Sequence, residues 1–402
     1  MSHFDEQDLL SRELHERSQD VGGHPIDLAH VRTRARGIQR RRRIVTGTVA
    51  AAVLAVTVPA GVLAGDNLNR SQNDPVVQPS QSVTESATPL PDGPVRLTLD
   101  GLERGNDPKV RYIAGRELVE PDGAVTELDD DYTAVTPYAD GWLASRLSGG
   151  LAFLDQDGQT QRTQAGSGFA ADPSGTWVAY VTDAESQDGG TELVFAPTIG
   201  AESAKARFPV TADVHPVGFL SPEEVVWQGE GVTPEAGITP VDGAQRRLQG
   251  LRKVTAVNAA TGRVAGMIRS TPDGSCSGVM EPDASTRSLL WETCDYYLEE
   301  FSPDGRFLLG SDPYQSGSGF RSLTVLDAQT AEPLVELRQP RDGQVSLTQV
   351  AWEDDRTALA VANEGTSWTV LRIDLGGGLE QATDIVEGDP YTDFPFWLTP
   401  AP

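Results

Sequence analysis

The feature that most constrains this chain is a tight turn between two short apolar strands, which recurs from about Val95 onward. Phe301-Ser-Pro-Asp-Gly-Arg-Phe-Leu-Leu-Gly310 and Ala170-Ala-Asp-Pro-Ser-Gly-Thr-Trp-Val-Ala-Tyr180 share one order: a small or aromatic residue, Pro, a polar residue, Gly, a polar residue, then an apolar strand. Diverged copies read Phe219-Leu-Ser-Pro-Glu-Glu-Val-Val-Trp227 and Val350-Ala-Trp-Glu-Asp-Asp-Arg-Thr-Ala-Leu-Ala360. A second element alternates with the first: Phe153-Leu-Asp-Gln-Asp-Gly-Gln159, Val257-Asn-Ala-Ala-Thr-Gly-Arg263, Leu326-Asp-Ala-Gln-Thr-Ala-Glu332 and Ile373-Asp-Leu-Gly-Gly-Gly-Leu379. There a strand ends in Asp or Asn and the chain reverses. Together the two elements make a four-stranded meander. Repetition at roughly 45 to 50 residues is the signature of a β-propeller.

An all-β domain is therefore expected over residues 95–402, since no helical period of useful length interrupts the short Val, Leu, Tyr, Trp and Thr runs. First strands fall near Thr133, Phe169, Val217, Val254, Glu300 and Val350, which gives six blades. Pairing Phe394 to Thr399 with the early strands Arg96 to Leu99, Val110 to Ala114 and Val125 to Leu128 makes a seventh and removes the exposed edges of an open ring. Seven blades are expected, with six as the alternative.

The Ser302-Pro-Asp-Gly305 turn and the Asp-x-x-Thr type of hairpin resemble those of WD40-like and TolB-like propellers over residues 95–402. The Trp-Asp and Gly-His pairs of true WD40 repeats do not accompany them.

Ahead of the repeats, Arg40, Arg41, Arg42 and Arg43 are followed by an uncharged run, Ile44 to Gly65. At about 1.5 Å per residue a helix of that length matches the hydrocarbon core of a bilayer. Nine Ile, Val or Leu residues favour insertion, and three Gly, three Thr and Pro59 partly offset them. The arginines set the topology, with the N-terminus inside and the propeller outside the membrane. The competing reading is a cleaved signal with Ile44 to Val58 as its apolar region and Val62 and Ala64 before the cut. Either way the propeller lies outside the cytoplasm. Residues 1–43 form a cytoplasmic tail with weak helices, whose apolar positions Leu9, Leu10 and Leu14 would meet a partner; residues 66–94, rich in Pro, Ser and Gln, form a linker. Asp8-Leu-Leu-Ser-Arg-Glu-Leu14, Pro25-Ile-Asp-Leu28, Val31-Arg32 and the Arg run before an Ala/Val-rich span resemble the N-termini of actinobacterial membrane anti-sigma factors. The resemblance implies a cytoplasmic sigma factor as partner. The His-x-x-x-Cys-x-x-Cys element of its zinc-containing members is not in the sequence.

Charge narrows the partners further. Of the net −27, residues 1–43 carry nine Arg against seven Asp or Glu, and the rest of the chain is at −29. So acidic a domain is unsuited to nucleic acid or to anionic lipid. Cys276 and Cys294 both fall in the exported part, 18 residues apart, and a disulfide across neighbouring strands of a hairpin is expected.

Candidate chemistry is sparse. His3, His15, His24 and His30 sit in the tail without ligand spacing, which leaves His215 for the outer domain. Gly274-Ser-Cys-Ser-Gly278 puts Cys276 where a nucleophile elbow needs serine. Asp129, Asp130 and Asp131, with Asp155 and Asp157, offer carboxylates but no calcium-loop spacing, and read as solvated turns. Trp142, Trp177, Trp227, Trp291, Trp352 and Trp368 read as packing between blades. No catalytic residue, metal or cofactor is therefore expected. The sequence points to a non-enzymatic, membrane-anchored propeller that binds an extracytoplasmic protein or polymer and signals through its tail. The alternative is an exported scaffold of the envelope with no signalling role.

Overall fold

The computed structural model describes residues 90–399 apart from 92, 184–189, 200–203, 212, 231–234, 272–273, 283–288, 315–318 and 341–342. The expected tail with Leu9, Leu10 and Leu14, the arginines 40 to 43, the span 44–65 and the linker as far as residue 89 lie outside the described residues. Among those described, no helix is long and apolar enough to cross a membrane.

Alternating strands and Asp- or Gly-bearing turns fold as antiparallel meanders, and seven such sheets form among the described residues. Blade 2 comprises Tyr132–Tyr138, Gly141–Arg146, Leu151–Leu154 and Thr160–Gln164. Blade 3 follows with Gly166–Ala171, Trp177–Asp183, Thr191–Pro197 and Ala206–Val210, and blade 4 with Val214–Ser221, Glu224–Gly229, Glu235–Pro240 and Arg246–Leu248. Blade 5 holds Lys253–Asn258, Arg263–Thr271, Gly274–Met280 and Leu289–Thr293; blade 6 holds Tyr297–Phe301, Phe307–Ser311, Ser322–Asp327 and Pro333–Arg338. Blade 7 is Val345–Asp354, Thr357–Glu364, Ser367–Asp374 and Leu379–Gln381, with Val386–Glu387 also on its third strand. Blade 1 joins the two ends of the fold: Phe396–Leu398 is its first strand, and Tyr112–Ala114, Glu117–Val119 and Val125–Glu127 are the other three. The expected ring of seven, closed by chain ends, is the fold observed.

One expected strand lies elsewhere. The sequence places Arg96 to Leu99 in the closing blade; instead Val95–Arg96 adds a fifth, parallel strand outside Pro333–Arg338 of blade 6. Leu97 and Leu99 are buried in the core between blades 6 and 7, and Leu97 N donates to Arg338 O at 2.9 Å. The chain then straps across blade 7, where Gly105 and Glu103 pair with Gln381, before it enters blade 1. Burial of two leucines outweighs the small gain from a place in blade 1.

Arg372 of blade 7 pins this strap. Its guanidinium binds both oxygens of Glu353, at 2.7 Å each, and donates to the carbonyls of Asn106 and Asp107 at 3.0 Å. Glu353, whose side chain is fully buried, also accepts from Lys109 N at 2.7 Å.

The repeated motifs act as the interlock between blades. Ser302 Oγ accepts from Phe307 N and donates to Asp304, while Gly305 takes a left-handed φ of 71°. A side chain at Gly305 would run into Asn258, so glycine is required there on two counts. Asn258 caps its own turn through Thr261 and donates to the Ser302 and Pro303 carbonyls, and Asp355 accepts from Asp304 N. Blades 5, 6 and 7 are thereby stitched turn to turn. Asp327 Oδ1 likewise accepts from Gln329 N, Thr330 N and Thr330 Oγ1, which is why Asp-x-x-Thr recurs.

Between the blades lie apolar cores. Trp227 packs between blades 3 and 4, Trp352 between 6 and 7, and Trp368 between 7 and 1. Trp291 donates to Ala328 O across blades 5 and 6.

Candidate functional site: a polar cluster at one end of the inner strands

From blade 3 round through blades 7 and 1 to blade 2, the first strand of each blade packs against that of the next, so these strands surround the propeller axis. Most of their side chains are apolar or Thr. His, Lys, Asp and Glu side chains on these strands fall on blades 4 to 7: Glu353 and Asp354 of blade 7 pair with Arg372 and Lys109, and the rest gather on blades 4, 5 and 6. His215 is the second residue of Val214–Ser221, and Lys253 and Tyr297 each open their strands, with Glu299 two residues on. Glu230 follows the blade 4 strand whose last residue, Gly229, pairs with Val214. All five therefore sit at the same end of the inner strands. The Lys253 ammonium stands 5.9 Å from the centre of the Tyr297 ring. Glu299 accepts from Ser311 Oγ at 2.5 Å.

Neighbouring backbone holds this end rigid. Gln228, opposite His215 in register, accepts from Val254 N at 2.8 Å and donates to Arg252 O, tying blade 4 to the entry of blade 5. Both ends of this buried amide are used, which fixes its orientation.

Burial governs the ionisation of the cluster. His215 is 7% exposed, and its pKa is drawn down to about 4 by desolvation, with the Lys253 charge adding to the effect. Desolvation also lowers the Lys253 amine, against the pull of Glu230 and Glu299. The Tyr297 hydroxyl is pushed up by burial and then by the same two carboxylates. At neutral pH the cluster presents a neutral imidazole and a protonated phenol beside an amine and acidic groups. Such a set gives hydrogen bonds and charge to a polar ligand. A base with its pKa near 4 has little driving force for proton abstraction at pH 7.

Other sequence candidates resolve differently. Cys276 is bonded to Cys294 and stands inside the strand Gly274–Met280, so the Gly-Ser-Cys-Ser-Gly run is neither a strand-to-helix elbow nor a nucleophile. Of the carboxylates weighed for calcium, Asp129, Asp130, Asp131 and Asp155 accept from protein donors. Burial would raise Asp129, but hydrogen bonds from Thr160 and Tyr132 outweigh it and hold it low. Asp130 is held low by the Arg146 guanidinium, and Asp155 accepts from Asp157 N, Gln159 N and Gln161. Among the described residues no group of three or more His, Cys, Asp or Glu converges on a metal position.

Sequence reasoning singled out His215 but not Lys253, Tyr297 or Glu299. A signal was present: Lys253-Val-Thr-Ala-Val257 and Tyr297-Leu-Glu-Glu-Phe301 carry ionisable groups in strands that otherwise bury every position. Which of these strands are neighbours is set by the ring, not by local sequence.

No protein-family model matches the chain, and neither does any curated protein. Solved structures do. TolB from Acinetobacter baumannii is similar at 13% identity and a TM-score of 0.40, over 72% of this chain and 67% of that one. The putative TolB from Agrobacterium tumefaciens has 13% identity and a TM-score of 0.36 over 69% and 89%. The acylaminoacyl peptidase of Pyrococcus horikoshii has 10% identity and a TM-score of 0.44 over 70% of this chain; the chain spans about half of that peptidase, 54%.

Proposed function

We propose that this chain is a non-enzymatic, membrane-anchored binding propeller, which holds its ligand outside the cytoplasm and regulates a cytoplasmic partner through its N-terminal tail. The observation that carries the binding role is the His215, Lys253, Tyr297 and Glu299 cluster. It concentrates ionisable groups at one end of the inner strands, on a rigid scaffold, in a protonation state suited to recognition rather than to acid–base turnover. The anchored arrangement rests on Arg40 to Arg43 and the uncharged run that follows them. The regulatory role rests on the tail's resemblance to anti-sigma factors, with a sigma factor as the partner.

Two measurements on the full chain test this reading. Protease added to spheroplasts should degrade the propeller and leave an epitope on residues 1–43 protected. Detergent-extracted chain should retain a cytoplasmic sigma factor from the same cells, and the triple variant Leu9→Ala, Leu10→Ala, Leu14→Ala should lose it. Release of the propeller as a soluble fragment cut after Ala64 would favour the exported scaffold, and equal retention by the triple variant would remove the regulatory role.

A further inference from the structure

Lysine is scarce in this chain. Of its 32 Lys and Arg residues only Lys109, Lys205 and Lys253 are lysine. The first two form surface ion pairs: Lys109 Nζ lies 3.7 Å from Asp354, and Lys205 Nζ 3.9 Å from Glu223. Lys253 alone stands on an inner strand, and its amine has neither an ion pair nor a hydrogen bond among the described residues. Arginine would supply charge at that position as it does elsewhere in the chain. A guanidinium keeps its proton and is no nucleophile, however, whereas a desolvated lysine amine is one.

The groups around Lys253 also lack partners. The Tyr297 hydroxyl and the His215 ring nitrogens make no hydrogen bond among the described residues, although the two residues are only 9% and 7% exposed. Polar side-chain atoms that are both sealed from solvent and unpartnered occur among those residues at Arg111, Thr136, Trp142 and Ser277 only. The polar ends of His215, Lys253 and Tyr297 are thus unpartnered and still reached by solvent. The Lys253 amine lies 5.9 Å from the centre of the Tyr297 ring, and desolvation lowers its pKa, which raises the share of neutral amine at a given pH.

We infer that Lys253 captures a small uncharged aldehyde as a reversible imine, with the carbonyl oxygen held by the Tyr297 hydroxyl. The inference rests on the binding role given to this cluster and names the class of ligand. The amine lone pair of Lys253 forms a bond to the carbonyl carbon, while the carbonyl oxygen, hydrogen-bonded by Tyr297, takes up the proton that the nitrogen loses. The resulting carbinolamine sheds its hydroxyl group and the second N–H proton as water and leaves a C=N bond. Addition of water reverses both steps. No oxidant or reductant is consumed, and the ligand is held, not turned over. Charge selects an uncharged aldehyde: Glu230 and Glu299 act on the Lys253 amine, and the chain beyond residue 43 is at −29, so an anionic one is repelled. The small openings at His215 and Tyr297 restrict its size.

The test is reductive trapping on the full chain in detergent at neutral pH, with glycolaldehyde and cyanoborohydride, followed by mass-spectrometric mapping of the three lysines. The reductant converts each imine to a stable hydroxyethyl amine, so Lys109 and Lys205 are standards in the same sample. Lys253 should take up the label about tenfold faster than either, the factor that one hydrogen bond to the carbonyl supplies. Tyr297→Phe, which keeps the ring and removes the hydroxyl, should erase most of that lead and leave Lys109 unchanged. With glyoxylate, an anionic aldehyde, the lead should vanish, and in urea the three lysines should react alike. Labelling of Lys253 no faster than Lys109, a lead that persists in urea, an equal lead with glyoxylate, or an undiminished lead in Tyr297→Phe would each overturn the assignment. If Tyr297→Phe fails to fold, the wild-type comparisons decide. None of these readouts involves topology or the sigma factor, so failure here leaves the anchored, regulatory reading standing, and failure of that reading leaves the labelling unchanged.

Discussion

Replacing Arg372 by Met should unfasten the strap that runs from blade 6 across blade 7 to blade 1. Arg372 supplies both charged hydrogen bonds to Glu353 and two more to the strap carbonyls of Asn106 and Asp107. The guanidinium pKa is raised, chiefly by its hydrogen bond to Glu353, which reports the same attraction from the other side. Without Arg372, Glu353 keeps only the hydrogen bond from Lys109 N in a site where its side chain is fully buried. Removing one partner of a buried pair typically costs about 3–5 kcal/mol, because a charge is left uncompensated. The lost bonds to the Asn106 and Asp107 carbonyls act in the same direction, whereas the methionine regains some apolar contact. A net loss of about 3 kcal/mol is therefore expected, a large share of a domain's usual stability. Equilibrium urea unfolding followed by tryptophan fluorescence measures it as a lower midpoint at unchanged slope. The double variant Arg372→Met, Glu353→Gln should recover more than half of the loss, since no buried charge remains. Limited proteolysis of Arg372→Met should cut first between residues 97 and 110. A destabilisation of less than about 1 kcal/mol, or strictly additive single variants, would refute the argument that this pair holds the strap.

Three further outcomes follow from the same geometry. Because the His215 pKa is depressed to about 4, its contribution is fully present above the unfolded value near 6.5 and is lost as pH falls from there toward 4; between pH 7 and 4.5, wild type should lose about 2 kcal/mol more stability than His215→Gln, and parallel pH profiles would contradict this. Reduction of Cys276–Cys294, or its replacement by two serines, opens a loop of separation 18 and should cost about 3 kcal/mol by chain entropy, read as a lower thermal midpoint. Phe396→Ala, in the strand that closes blade 1, should cost about 3–5 kcal/mol, whereas Tyr391→Ala, 70% exposed, should stay within about 0.5 kcal/mol in the same urea titration.

Local sequence determined the parts of this protein that local physics controls. Pro-Asp-Gly and Asp-x-x-Thr specify turns because an Asp or Ser oxygen caps nearby backbone N–H groups and Gly305 supplies a left-handed φ, so strands, meanders and a repeating blade were legible from the chain alone. The spacing of Cys276 and Cys294 similarly marked two strands of one sheet. The tertiary structure decided what depends on closure. Val95–Arg96 left blade 1 for the edge of blade 6 because Leu97 and Leu99 bury between blades 6 and 7, a contact across more than 200 residues that no window of sequence contains. The same holds for polar side chains that meet across blades. Lys253 beside Tyr297, and Arg111 over Trp142, are neighbours only because inner strands and blade junctions bring distant segments within a few ångströms. Burial then sets the ionisation of Lys253 and Tyr297, and burial is a property of the closed ring.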